Sequence, residues 1–323
     1  MRVSVVVAAA KIDGRLMLLL ESLEKQTRLP DEVLIVTPAD TGDLRGLVSS
    51  SSLETKVIEL ARDPGPIGAR VFGGIAASGR YVAFIDSDCA APPQWLENMV
   101  AEAESWRVEV VAGSVAGANV EKFLSRAQDR SMIAPNPRHD RTLLVGDLDL
   151  KLVVTANMLI ERTALLDERV IPPSYGRFGF EDLDFAYRLL ATGRRILCSP
   201  VLVYHYNRTN LLSVLKRYYE YGRGLPLFRR RSRGSFYSRA LTALTYSLTA
   251  ILAATLALFA LGHAKAAGTL LALVLAPFYA YHASRMKQGG LERLAYPLVD
   301  LALAVAAAAG ALATEIAIIL KRM

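Results

Sequence analysis

Residues 81–88 read Tyr-Val-Ala-Phe-Ile-Asp-Ser-Asp, five apolar residues running into two carboxylates spaced one apart. Gly79 stands just before this stretch and Pro92-Pro93 just after it. A short, continuous apolar run between turn residues fits a strand buried on both faces, as in a parallel sheet covered by helices. In an extended segment residues i and i+2 point the same way, so Asp86 and Asp88 share a direction at the strand's carboxyl end. Open α/β sheets bind their ligands at that end. Two carboxylates held together there suit a hard divalent cation, which takes oxygen ligands from carboxylates and phosphates alike. The same triplet recurs at Asp147-x-Asp149 and Asp182-x-Asp184, but neither follows an apolar run that could bury a strand. Context, not the triplet, selects the first.

The residues around this strand alternate in the same style. Residues 3–10 read as a first strand. Met1-Arg2 and the Ala-Ala-Ala end imitate a secretory leader, but Lys11 and Asp13 interrupt the apolar run at once. Apolar spacing predicts a helix over 16–26, with Pro30 beyond its end, then strands over 33–36 and 56–60. A short Gly- and Ala-rich helix is expected within 65–79, and a helix over 93–106 with Pro near its start. Residues 108–115 read as a strand, 125–149 as a polar, loop-rich region, and 153–160 as a strand with Asn157 near its end. A helix over 178–190 opens on Glu181-Asp182 and stops at Gly193, and 196–206 forms a last strand with His205 near its end. Strands alternating with helices give an α/β domain with a doubly wound, mostly parallel sheet.

The composition changes along the chain. Of 323 residues 52% are hydrophobic, and the mean hydropathy of +0.28 owes its excess to the part after residue 240. The net charge of +7 is equally local: Lys216, Arg217, Arg223, Arg229, Arg230, Arg231, Arg233 and Arg239 crowd the segment before it. Such a run next to long apolar segments suits anionic lipid headgroups better than nucleic acid. Residues 211–221 have an amphipathic pattern that fits a helix lying in the membrane interface or one packed on the sheet. Residues 241–262 carry no charge and are about 33 Å long as a helix, enough to span a bilayer. Residues 266–283, with Pro277, and 294–320, with Asp300 and Glu315, complete three expected spans. Arg285, Lys287 and Arg293 fall on the side of the Arg-rich segment, which positive-inside bias assigns to the cytoplasm together with the domain before it. Lys321-Arg322 would then lie outside, against that bias. Asp300 within a span is either a functional group or a partner within the bundle. Cys89 and Cys198 have no metal-ligand spacing and predict no disulfide. The expected division is 1–210, 211–239 and 240–323.

Glu181-Asp182 at a helix start, after the Gly-rich turn 175–180, reads either as a dipole-stabilised cap or as a general base. Taken in order, the pieces resemble the family-2 glycosyltransferases of the GT-A fold over roughly residues 3–206. The resemblance is carried by 3–7, 16–26 and 30–36, by Gly68-Ala69-Arg70, Gly73, Gly79 and 81–88, and then by Asn157, Glu181-Asp182-Leu183-Asp184, Arg188-Leu189 and Tyr204-His205. Tyr221-Gly222-Arg223-Gly224 resembles membrane-bound members. The resemblance implies a nucleotide-diphosphate sugar donor and a Mn2+ or Mg2+ ion held by Asp88, with Asp86 on the ribose or the metal and His205 as a further ligand. It implies Asp182 as the base, with Glu181 as its alternate, and inversion at the sugar carbon. Ala8, Arg70, Asn157 and Arg223 fall at donor-binding positions. The chain departs from the family where Ala8-Ala9-Ala10-Lys11 and Thr37-Pro38-Ala39-Asp40 replace its usual polar and acidic segments, leaving Asp40 to read the base. Val71 stands where an asparagine is usual.

The function these readings imply is a membrane-anchored, metal-dependent inverting glycosyltransferase. It acts on a hydroxyl of a lipid-linked or cell-surface glycan at the cell membrane, with the catalytic domain cytoplasmic. Transfer to a polyprenyl phosphate is the alternative, but an anionic acceptor needs no base. A non-catalytic nucleotide-binding scaffold would explain the altered segments and leave both carboxylate pairs without a role. Neither Gly68-Ala69-Arg70 nor Gly73-Gly74 makes the fingerprint of a dinucleotide-binding reductase.

Overall fold

The computed structural model describes residues 1–10, 13–38, 51–133, 136–176, 178–285 and 292–321. Contacts divide the chain into two compact units. The first comprises Met1–Asn119, Asn136–Arg177 and Glu181–Asn207, and the second Val120–Pro135, Phe178–Phe180 and Arg208–Met323.

The first unit is built on a sheet whose strands, in chain order, are β1 (Val3–Ala8), β2 (Glu32–Pro38), β3 (Thr55–Leu60), β4 (Tyr81–Asp86), β5 (Cys89–Ala90), β6 (Val110–Gly117), β7 (Thr142–Val145), β8 (Asn157–Glu161) and β9 (Arg195–His205). They lie in the order β3-β2-β1-β4-β8-β6-β9-β5, with β7 pairing β9. Strands β1, β2, β3, β4, β6 and β9 run one way; β8, β5 and β7 run against them. The sheet is mixed and mostly parallel, as the sequence predicts.

Alternation along the strands sorts the core into two faces. Val3, Val5 and Val7 join a cluster with Leu16, Leu19 and Leu23 of helix α1 (Gly14–Glu24) and with Leu96 and Met99 of a later helix at Trp95–Trp106. Val6 faces the other way, toward helix α2 (Gly65–Ala76), where a Cβ on Gly73 would lie 2.6 Å from Val6. We number the Trp95–Trp106 helix α3. After it come α4 (Phe123–Asp129), α5 (Arg162–Leu165) and α6 (Glu181–Ala191).

Two local expectations need correction. Residues 125–149 are not simply loop, because they hold most of α4 and all of β7; runs this short carry too little periodicity to be read. Asn157 opens β8 rather than lying near a strand's end.

The second unit is helical. Besides α4 it contains α7 (Leu211–Arg231), α8 (Phe236–Ala260), α9 (Ala264–Arg285) and α10 (Glu292–Leu320). Segments Phe236–Ala260, Ala264–Ser284 and Leu294–Leu320 are each long and apolar enough to cross a membrane. Asp300, 1% exposed, pairs within the unit: it accepts hydrogen bonds from Ser131 Oγ at 2.6 Å and the Met132 amide at 2.8 Å, and lies 2.8 Å from His282 Nε2.

Candidate active site

The carboxyl ends of β1 and β4 lie side by side, with Ala8 paired to Asp86. Two residues on, the chain turns into β5, whose antiparallel pairing with β9 sets Cys89 opposite His205. That pairing, with the Tyr206 amide on the Asp88 carbonyl at 2.9 Å, delivers His205 to the aspartates from 117 residues down the chain. Asp86, Asp88 and His205 each offer a ligand atom, all within 4.8 Å of one another. His205 Nε2 is 3.3 Å from Asp88 Oδ1, and its Nδ1 is 3.0 Å from Asn207 Oδ1. Burial alone would lower the imidazole pKa, but the Asp88 carboxylate outweighs it and raises it to about 9. Asp88 moves down: burial opposes its charge, and His205 and then Arg15 overcome that opposition.

A second acidic group opens α6. Glu181 is buried and accepts from the amides of Ile67 and Tyr175, both at 3.2 Å. Ile67 lies in the first turn of α2, where unpaired amides favour an anion. Burial nevertheless raises the Glu181 pKa against those two amides. Gly65 makes the approach possible: its φ is +81°, and a Cβ there would lie 3.3 Å from Glu181 Oε1. Asp182 is half-buried and accepts from Thr155 Oγ1 at 2.6 Å. Asp184 is fully buried and tied to Tyr175 Oη and Arg188 Nε, both at 3.0 Å.

Arg70 connects the two groups. Its side chain is 7% exposed and hydrogen-bonds Asp86. Burial opposes its charge, while Asp86 first and then Asp182 and Glu181 hold the guanidinium protonated. Arg70 Nε is buried with no partner, a donor left over beside the acidic cluster.

Of the residues the sequence singles out, Ala8, Arg70, Asp86, Asp88, Glu181, Asp182 and His205 all belong to the first unit. Asn157 is enclosed within the sheet unit. It is 0% exposed, its Nδ2 donates to the Ser114 and Val201 carbonyls, and its Oδ1 accepts from Trp95 Nε1. It ties β6, β8, β9 and α3 together, with both of its amide hydrogens engaged. Arg223 belongs to the second unit, with its guanidinium 4.1 Å from the Phe178 ring centroid. Asp40 and Lys11 lie outside the described residues. Sequence reasoning missed Arg15, Thr155 and Tyr175, which carry no motif. Asn207, two residues after His205, had a spacing that could have drawn notice.

A family profile described as "Glycosyl transferase family 2" matches residues 4–167, just over half of the chain. The chain belongs to glycosyl transferase family 2. The match stops short of Asp182 and His205, so their placement rests on the geometry above. A Bacillus subtilis (strain 168) protein, "Uncharacterized glycosyltransferase YwdF", is 31% identical over 105 residues, 32% of this chain and 39% of that protein. The chain therefore spans about two fifths of the length of this curated relative.

Among solved structures, the mannosyltransferase PcManGT from Pyrobaculum calidifontis, in complex with GDP-Man and Mn2+, is similar with a TM-score of 0.62 at 18% identity, covering 96% of this chain and 87% of that one. S. aureus TarS 1-349 in complex with UDP-GlcNAc is similar with a TM-score of 0.53 at 19% identity, covering 93% and 91%. These likenesses establish the GT-A-type fold. This family member carries Asp86 and Asp88 at the carboxyl end of β4, the end at which open α/β sheets bind ligands.

Proposed function

We propose that this family-2 member is a membrane-associated, inverting glycosyltransferase that takes its sugar from a nucleotide-diphosphate donor and transfers it to a hydroxyl. The observation that carries this reading is the pairing of two differently equipped acidic groups across one buried arginine. Asp86, Asp88 and His205 combine hard oxygen donors with an imidazole and fit Mn2+ or Mg2+. Such a cation offsets the charge that builds on a leaving diphosphate. At neutral pH its binding competes with the proton that Asp88 holds on His205.

Asp182 is the base. Its carboxylate takes the proton of the acceptor hydroxyl as that oxygen bonds to the anomeric carbon and the bond to the diphosphate oxygen breaks. Thr155 fixes one of its oxygens and so orients the other. Glu181 is a positioning residue, because the amides of Ile67 and Tyr175 already occupy its oxygens. Arg70 keeps the two carboxylate groups together and offers its free Nε–H to an anion. An anionic acceptor such as a polyprenyl phosphate would leave Asp182 without a proton to take, so the hydroxyl acceptor is favoured.

The test is donor binding and turnover with purified protein in detergent, using uridine, guanosine and thymidine diphosphate sugars with Mn2+ or Mg2+. Asp88→Ala should lose metal-dependent donor binding, and Asp182→Asn should keep binding and lose turnover. Absence of metal-dependent binding to every donor in the panel would overturn the reading.

A further inference from the structure

Length and apolarity allow α10 to cross a bilayer, but its contacts place it otherwise. Near its start, Glu292 pairs with Arg126 of α4, and Tyr296 stacks on Phe123 with ring centroids 5.4 Å apart. Two turns on, Asp300 accepts from Ser131 Oγ and the Met132 amide. Near its end, Glu315 accepts from Arg229 Nη2 at 2.7 Å and pairs with Arg230. Between these pins α7 runs alongside α10 in the same direction. Val214 and Tyr218 pack with Leu303, Gly222 meets Ala307, and Tyr219 meets Gly310. The two backbones touch: a Cβ on Gly222 would fall 1.8 Å from the Ala307 carbonyl oxygen, and one on Gly310 2.0 Å from that of Tyr219.

Helix α7 cannot sit in hydrocarbon. It carries Lys216, Arg217, Glu220, Arg223, Arg229, Arg230 and Arg231 within Leu211–Arg231, and Lys216 is exposed. A charge at mid-bilayer costs several kcal/mol, roughly 2.5–3.5 on the mildest scale. Among the described residues, none of the candidate spans precedes Phe236, so Arg126, Ser131, Arg229 and Arg230 all lie on one side of the membrane. The pins at Glu292 and Glu315 are about 35 Å apart along a helix, a full bilayer's depth, yet both are held by groups on that one side.

The face of α10 turned away from Asp300 and Leu303 carries Leu294, Leu298, Val305, Leu312, Ile316 and Ile319, all exposed. At 100° per residue they form one stripe along the helix. We propose that α10 does not cross the membrane. It lies in the plane of the leaflet facing α7, with this stripe in the acyl boundary and α7 against its other face, while α8 and α9 enter the bilayer as a hairpin. The C-terminal end then lies on the same side as the N-terminal unit, and Lys321 joins the other cations at the headgroups instead of opposing the positive-inside bias. The inference rests on membrane entry by α8 and α9 and is independent of the chemistry proposed above.

Single cysteines read the outcome, since the native Cys89 and Cys198 are both buried. Lys25→Cys, on an exposed position of the N-terminal unit, and Lys321→Cys are treated with a membrane-impermeant maleimide in sealed vesicles of known orientation, with the full chain. Labelling of both from the same side is the expected result. Labelling of Lys321→Cys only from the side opposite Lys25→Cys overturns the proposal. A depth measurement with brominated lipids sharpens it: Leu298→Trp, Val305→Trp and Leu312→Trp should show added quenching at one shallow depth. A crossing helix would give the deepest quenching at Val305→Trp.

Discussion

The two units spend their buried carboxylates differently. In the helical unit Asp300 and Glu315 have both oxygens engaged, by Ser131, Met132 and His282 in one case and by Arg229, Arg230 and Tyr246 in the other. In the sheet unit Asp86 and Asp88 remain partly open, with side chains 27% and 34% exposed, and crowd against His205 and Arg70. A carboxylate whose oxygens are all occupied by its own chain holds helices or loops in place. One left open beside another carboxylate is a destabilised arrangement that a ligand can relieve. The sheet unit also contains the first kind: Glu32 accepts from Ser4, Ser78 and Lys56, and although burial pushes the other way, its pKa falls to about 2. The distinction therefore follows role, not unit.

The largest effect should come from the sheet unit's second acidic group, the one that opens α6. Asp182→Asn is expected to lower turnover by about 10²- to 10⁴-fold, the usual contribution of a positioned base, with the donor dissociation constant nearly unchanged. Steady-state kinetics beside equilibrium donor binding separates the two. A parallel loss of both would make Asp182 a binding group and end its assignment as base. On the other side of the comparison, Asp300→Ala should leave turnover per folded molecule intact and cost about 3–5 kcal/mol of stability. It strands His282 and the donors of Ser131 and Met132 in a buried site. Thermal unfolding in detergent reads that loss, and a variant as stable as the parent would show that the cluster does not hold the fold.

The sheet and the open carboxylates were legible because each leaves a local mark. An apolar run ending in Asp-x-Asp marks both the strand and its carboxyl end, and His205 sits where the last strand stops. The surroundings of Asn157 were not legible, because a polar residue at a strand's end looks available. Only the structure shows that Gly113, whose Cβ would fall 2.2 Å from Asn157 Nδ2, clears space for that amide to reach the Ser114 and Val201 carbonyls. Thr155 and Tyr175 were invisible because their roles depend on which carboxylates the tertiary fold brings to them. The position of α10 was hidden for a related reason: hydropathy counts its side chains and ignores the arginines at Arg126, Arg229 and Arg230 that fix both its ends.

A smaller effect concerns a buried group that titrates. Burial, and then Lys151, depress the pKa of His139 to about 4, so the folded protein keeps it neutral while an unfolded chain protonates it near its ordinary 6.5. Below pH 6.5 the unfolded state binds the extra proton, and stability falls as the pH drops toward 4. The full loss from this group is on the order of 3 kcal/mol. In denaturant titrations His139→Gln should flatten the stability curve between pH 6.5 and 4 and leave the region above pH 7 nearly parallel to the parent. An unchanged slope in the variant would mean that other groups carry the acid sensitivity.

The smallest effect tests the open set most directly. Arg15 Nη1 lies 3.7 Å from Asp88 Oδ2, with the arginine side chain 44% exposed. Exposed pairs of this kind are worth about 0.2–1 kcal/mol, and a cation binding at Asp88 must compete with the guanidinium for the same carboxylate. Arg15→Ala should therefore tighten binding of Mn2+ alone by up to about fivefold, an effect that shrinks as salt screens the pair. Electron paramagnetic resonance of free Mn2+ measures this without any sugar donor. If Arg15→Ala binds Mn2+ less tightly than the parent, Asp88 is not the proposed ligand, because removing a neighbouring positive charge can only favour a cation at that carboxylate.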